Sequence, residues 1–180
     1  FTSFAQRPTT SGDLLAARIR AINEAFAKAI VDSGYAGSYR GVYPIKVNQQ
    51  HQTVADVVRL GAPFHHGLEA GSKAELIAAL GYLHDPAAYI ICNGYKDAEF
   101  IDLALFSLKM GLQTILVLEM PGELDLLLER AAKQNIRPRI GIRVKLASSV
   151  GGKWAESGGE GSVFGLTPPQ VIAAVDRLRE

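Results

Sequence analysis

The stretch Val42-Tyr-Pro-Ile-Lys-Val-Asn-Gln-Gln-His51 begins as an apolar, β-prone run and ends in polar residues with no glycine among them. In a doubly wound sheet that binds a dinucleotide, the turn after the first strand carries Gly-x-Gly-x-x-Gly, because the backbone must approach a pyrophosphate closely. Here that turn reads Lys46-Val-Asn-Gln-Gln-His51, so the fingerprint is absent. Outward from residues 42–47, further β-prone runs at 64–68, 89–92, 114–118 and 139–146 follow at a nearly constant interval, with a helix-length pattern between neighbours. Such alternation implies a parallel sheet with right-handed crossovers. The fold class is α/β. A full (β/α)8 TIM barrel takes about 250 residues and eight units, so about five βα units in this chain read as a partial barrel with a leading helix.

The helices are legible from their ends. The spacing of Leu15, Ile19, Ile22, Phe26 and Ile30 predicts a helix over about 12–32, stopped by Gly34. A short helix over 53–60 ends at Gly61. Ser72 with Glu75 forms a capping box for the next, with Gly81 as its stop, and Asp97 caps the one after, which runs to Gly111. Pro121-Gly122 turns the chain into a helix over 123–134. Thr167-Pro-Pro-Gln170 is a second capping box with proline in the first turn. Residues 1–12 are polar and irregular and form a lead-in; residues 13–180 are the N-terminal part of the barrel. The chain starts on Phe1 and stops inside a helical pattern, so it reads as a piece of something longer. The glycine-rich segment 148–165 is a loop, either a linker or a lid over the active face.

Composition narrows the function. With 19 basic against 18 acidic residues, there is no electrostatic footprint for a nucleic acid or an anionic membrane. No apolar stretch is long enough to span a bilayer, and no signal peptide is visible. The one cysteine, Cys92, excludes an internal disulfide framework and suits the cytoplasm.

In a parallel barrel, alternate strand residues face the helices and the interior, and chemistry collects at the C-terminal strand ends. Tyr43, Ile45 and Val47 share one side of the first strand, which turns Lys46 inward. Ile140, Ile142, Val144 and Leu146 form the helix-facing row of the fifth, which turns Arg143 and Lys145 inward. Lys46 with Asn48, Glu69 with Ser72, Asn93 with Lys96, Glu119, and Arg143 with Lys145 all fall on one rim. A lysine after a strand is ordinarily a solvated end. The apolar neighbours of Lys46 instead predict a partly dehydrated amine able to condense with a carbonyl. Glu69 is either a solvated loop acid or an acid facing Lys46 across neighbouring strands. Arg143, within an apolar alternation, must find an acceptor. His51, His65 and His66 lack a third ligand at suitable spacing, so no metal site is predicted. Cys92 packs as a small hydrophobe. Schiff-base aldolases and pyridoxal-phosphate enzymes both fit this pattern.

The block Gly41-Val-Tyr-Pro-Ile-Lys-Val-Asn-Gln-Gln50 resembles the biosynthetic arginine decarboxylases, a branch of the alanine racemase-like pyridoxal-phosphate barrels. Further blocks resemble the same family in order: Gly67-Leu-Glu-Ala-Gly-Ser-Lys-Ala-Glu-Leu76, Ile91-Cys-Asn-Gly-Tyr-Lys-Asp97, Ile140-Gly-Ile-Arg-Val-Lys-Leu146, Gly151-Gly-Lys-Trp-Ala-Glu-Ser-Gly-Gly-Glu160 and Phe164-Gly-Leu166. The resemblance implies that Lys46 condenses with pyridoxal 5'-phosphate, that Glu69 is the second-strand acid near lysine and cofactor, and that Arg143 lies near the cofactor's phenolic oxygen. It further implies conversion of L-arginine to agmatine and carbon dioxide in polyamine synthesis, magnesium (Mg2+) as an additional cofactor, and a homo-oligomeric parent enzyme. Where the family reads Gly-Glu-Arg-Ser-Lys-Phe-Gly-Leu, this chain has Gly159-Glu-Gly161-Ser-Val163-Phe-Gly-Leu166, without the two positive charges. The family's sixth-strand histidine, phosphate-binding glycines and C-terminal β domain have no counterpart in these residues, so the 180-residue piece alone is expected to be inactive. The other expectations are a non-catalytic pyridoxal-phosphate-binding or subunit-pairing fragment, and the Schiff-base aldolase.

Overall fold

The computed structural model describes residues 11–145 and 163–179. Residues 1–10 of the expected lead-in, Leu146, and nearly all of the 148–165 loop lie outside the described residues. The first element is helix α1, Ser11–Ser33. It stops where Gly34 adopts a left-handed φ of +64°, and the Tyr35 amide donates back to the Ile30 carbonyl at 3.1 Å. Its apolar stripe is only partly covered: Ile19 is buried, while Ile22 and Phe26 are about half exposed and the Phe26 ring stacks on Tyr39 at 4.0 Å.

Five βα units follow. They are β1 (Val42–Pro44) with α2 (His51–Gly61), β2 (Gly67–Ala70) with α3 (Lys73–Tyr82), β3 (Tyr89–Cys92) with α4 (Ala98–Lys109), β4 (Gln113–Leu118) with α5 (Glu123–Gln134), and β5 (Ile140–Ile142) with α6 (Pro168–Arg179). All strand pairs are parallel, and the sheet order β1-β2-β3-β4-β5 is that of the chain. A doubly wound sheet reverses direction at a switch point. This one winds a single way, as an arc of a (β/α)8 barrel does.

Register divides the strand residues into two rows. Leu68 and Ile90 align with Thr114, Ala70 and Cys92 with Leu116 and Ile140, and Leu118 with Ile142. Except for the two β5 isoleucines, which are partly buried, these are fully buried, and the apolar ones share one core with Leu76, Ala79, Phe100, Ile101, Ala104, Leu105 and Leu127 of the helices. The alternate row, Pro44, Glu69, Ile91 and Ile115, with Val117 beside Gly141, faces the barrel interior. Apart from Glu69, that row is only partly buried, since five strands cover one side of a sheet without closing on themselves.

Several boundaries differ from the expected ones for identifiable reasons. Pro44 has no amide hydrogen to extend the ladder, and the chain leaves the sheet after it into a 3-10 turn, Ile45–Val47. The second strand starts three residues later than its apolar run. Ala62–Phe64 is a 3-10 turn with proline in its first turn, and His65 takes a left-handed φ of 53°. Gly67 then begins β2 where a Cβ would lie 2.0 Å from the Tyr89 carbonyl oxygen. Gly81 is not a stop, because α3 continues through it to Tyr82.

Candidate active site

The C-terminal strand ends open into a cavity of about 710 Å³, and Lys46, Glu69, Asn93, Glu119, Arg143 and Phe164 are among its lining residues. Lys46 reaches it from the 3-10 turn after β1 rather than from the strand itself. Its side chain is exposed, so the dehydrated setting expected from its apolar neighbours is not present among the described residues. The reason is the turn: it directs Ile45 into the core and leaves Lys46 and Val47 outside it. Lys46 has no hydrogen-bond or ion-pair partner among the described residues.

Glu69 is buried on the interior row of β2, and its Oε1 accepts from Asn93 Nδ2 at 3.1 Å. Arg143 follows β5. Its backbone amide donates to Leu118 O and its carbonyl accepts from the Leu166 amide, which holds the residue beside β4 and the start of α6. Its Nη1 donates to Glu119 Oε1 at 2.9 Å, and its guanidinium lies 5.9 Å from the centre of the Phe164 ring. The three residues singled out from sequence thus line one cavity.

Other rim residues take different roles. Lys73 at the edge bonds Asp97 and Glu99, and the Asp97 hydrogen bond, followed by that of Glu99, holds its ammonium well above the ordinary lysine range. A strongly held ammonium is a poor carbonyl nucleophile. Lys96, expected on the rim, is instead 1% exposed, with its Nζ between both Glu123 oxygens and the Gly94 carbonyl. Ser72 accepts from the Glu75 amide as a cap should. The reciprocal bond differs, because the Glu75 carboxylate takes the Gly71 amide at 2.7 Å. Glu119 was visible in the sequence only as one more rim acid. Its 1% exposure and its two partners make it part of the site's framework. The signal for it was an acid ending an apolar strand, four residues before a second acid in a helix's first turn.

The histidines do not converge. His51 bonds Tyr82 OH, His65 bonds Asp85, and His66 is wedged against Gly41 and Gly61. Burial lowers the His66 pKa. Among the described residues, no three His, Cys, Asp or Glu side chains gather to hold a metal ion. No described helix is long and apolar enough to cross a membrane.

The donor set fits pyridoxal phosphate. The lining offers an accessible amine, Lys46, that has no acidic partner among the described residues, the Arg143 guanidinium, and the carboxylates of Glu69, Glu75, Asp97 and Glu119, of which Asp97 is paired with Lys73 and Glu119 with Arg143, in a cavity of the size that takes a small cofactor. The close packing of backbone at Gly94, where a Cβ would lie 2.3 Å from the Gly71 carbonyl oxygen, keeps two of the site's loops in contact.

Comparison with known proteins agrees with this geometry. Residues 16–180 match the family described as pyridoxal-dependent decarboxylase, pyridoxal binding domain. The chain is 46% identical over 168 residues to a biosynthetic arginine decarboxylase of Nostoc sp., and 50% identical over 169 residues to one of Tolumonas auensis. Each match covers 93% of this chain and 25% or 27% of the relative. The chain therefore spans about a quarter of the length of the curated relatives it matches. The crystal structure of the biosynthetic arginine decarboxylase from Campylobacter jejuni superimposes with a TM-score of 0.80 at 37% identity, over 93% of this chain and 27% of that one. A diaminopimelate decarboxylase from M. jannaschii, 19% identical with a TM-score of 0.76 over 94% of this chain and 38% of its own, shares the fold. With the family match running through all five βα units and through the residues that line the cavity, the chain belongs to the pyridoxal-dependent decarboxylases, as part of their pyridoxal-binding domain.

Proposed function

We propose that this chain, through residues 13–180, supplies the cofactor-holding part of an arginine decarboxylase that converts L-arginine to agmatine and carbon dioxide. The observation that carries the proposal is the meeting of Lys46, Glu69 and Arg143 around one cavity at the C-terminal ends of the strands. The arginine assignment rests on relatives at 46% and 50% identity that are named biosynthetic arginine decarboxylases. Pyridoxal phosphate, when bound, supplies an electron sink for the pair released as a carboxylate leaves the α-carbon.

The residues of this chain do the rest. Lys46 Nζ is the amine that holds the cofactor, and once displaced by a substrate amine it carries a proton at that same atom. The Glu69 carboxylate, kept in place by Asn93, favours positive charge in the cavity it shares with Lys46. Arg143, fixed by Glu119, offers its remaining donors to an anionic oxygen. Cytoplasmic location and homo-oligomeric assembly are proposed with this function, carried by the likeness to the family.

The test is reduction of the full chain with borohydride in the presence of pyridoxal phosphate, followed by peptide mapping, with agmatine release measured in parallel. The expected label is on Lys46, absent in Lys46→Ala. A label elsewhere, or a trapped sugar or keto acid in place of a pyridoxyl group, would overturn the reading. The partly exposed interior row at Ile91, Ile115 and Val117 favours a second statement: the 180-residue stretch by itself does not turn over. Steady agmatine release from it would refute that.

A further inference from the structure

We infer that Glu119 is a positioning residue, a buried acid whose negative charge sets the Arg143 guanidinium toward bound cofactor. This rests on the pyridoxal-phosphate reading of the cavity. The argument starts from burial. Glu119 is 1% exposed, and a carboxylate taken out of water persists only with a cation and hydrogen bonds around it. The side chain of Arg143 is 48% exposed, so water can solvate it without help from the protein. The acid therefore needs the arginine more than the arginine needs the acid. A buried acid at that position holds the arginine in a way a neutral residue would not.

The second acid sharpens the point. Glu123, 4% exposed, is four residues on, and it does not draw on Arg143. Its carboxylate accepts the Glu119, Met120 and Lys96 amides and pairs with Lys96 Nζ. Two buried acids thus have two separate cations. The Lys96–Glu123 pair ties the loop after β3 to the start of α5, and neither member lines the cavity. The Glu119–Arg143 pair reaches from the end of β4 to the residue after β5, and both of its members line the cavity.

The Gly94 peptide joins the two pairs. Its amide donates to Glu119 Oε2 at 2.9 Å, and its carbonyl accepts from Lys96 Nζ at 2.6 Å. The Glu119 carboxylate is therefore held from behind by a braced loop. One oxygen faces Gly94, and the other faces the arginine. The centre of the Phe164 ring lies 5.9 Å from the guanidinium carbon. Glu119 takes a single Nη1 hydrogen, so among the described residues the rest of the five-donor fork is left for an anionic acceptor.

The experiment is a double-mutant cycle in the full chain, read as equilibrium affinity for pyridoxal phosphate, with borohydride trapping at Lys46 as the check on the bound state. Glu119→Gln keeps the shape and an acceptor for Gly94 and removes the charge. It is expected to weaken cofactor binding roughly tenfold, the size of one charged hydrogen bond. In an Arg143→Met background the same change is expected to cost less than about twofold, because the group it acts through is gone. A residue that only supports the fold would cost the same in both backgrounds, and that additive result would overturn the proposal while leaving the site reading intact. Equal affinity of Glu119→Gln and the unsubstituted chain would overturn it as well. Absence of any label on Lys46 in the unsubstituted chain would bring down the site reading and this proposal together. If Glu119→Gln does not fold, Glu119→Asp, which keeps the charge but withdraws it by one methylene, takes its place in the cycle with the same expected non-additivity.

Discussion

The two faces of the sheet are built from neighbouring residues on the same strands and do opposite things. On the helix side, Leu68, Ala70, Ile90, Cys92, Leu116 and Leu118 are fully buried. On the interior side, Ile91, Ile115, Val117 and Gly141 are only partly covered, and the chargeable groups Lys46, Glu69 and Arg143 gather at their C-terminal ends. Stability and chemistry are thus separated by one residue of register. A helix-facing side chain contributes through apolar burial and packing, whereas an interior one leaves room for polar groups and ligand.

Substitutions on alternate residues of β4 test this most directly. Leu116→Ala is expected to destabilise the 180-residue chain by about 2–5 kcal/mol, as truncation of a buried leucine does, read from denaturant unfolding. A loss no larger than that of its neighbour Ile115 would break the distinction. The next effect is a pH dependence from the helix side. Burial pushes the Cys92 thiol up from an ordinary value near 9 to about 12. Because the folded chain holds this proton more tightly than the unfolded chain, the stability it contributes is complete below about pH 9 and is lost as the pH rises toward 12. Cys92→Ala is expected to flatten that part of the stability profile, and native Cys92 to resist alkylation at neutral pH until the chain unfolds.

Ile115→Ala comes third, at about 1 kcal/mol in the 180-residue chain, since its side chain is only partly removed from water. The same change in a longer chain that completes the barrel is expected to approach the Leu116 value, so the difference between the two measures closure of the interior. The smallest effect on stability is that of Lys46→Ala, expected within about 0.5 kcal/mol because the side chain is exposed and has no partner among the described residues. A large stability change on losing Lys46 would show that it has a structural task besides holding cofactor.

How much of this was legible in sequence depends on the range of the interaction. The Ser72, Asp97 and Thr167 caps and the Gly34 and Gly111 turns are set within a few residues, and they stand where local spacing puts them. The second strand was misplaced because the 64–68 run is apolar enough for a strand, whereas Pro63 and the left-handed His65 keep its first half out of the sheet. Lys96 was misjudged for another reason. It follows a strand as a rim lysine would, and the ion pair with Glu123, 27 residues away, draws it inward.

Sequence alone determined the βα repeat and most of its caps, because periodicity and capping act over short stretches of chain, and the likeness of its motif blocks to a family singled out the three residues proposed to serve the cofactor. The expected helix-facing rows fail at Val47 and Val144, which are exposed. Tertiary structure alone decided that Lys46 stands exposed on a turn, that Lys96 turns away into the loops, and that Glu119 meets Arg143. Those outcomes depend on which charges meet once five strands lie side by side, and a buried charge takes whichever partner the fold brings within hydrogen-bond reach.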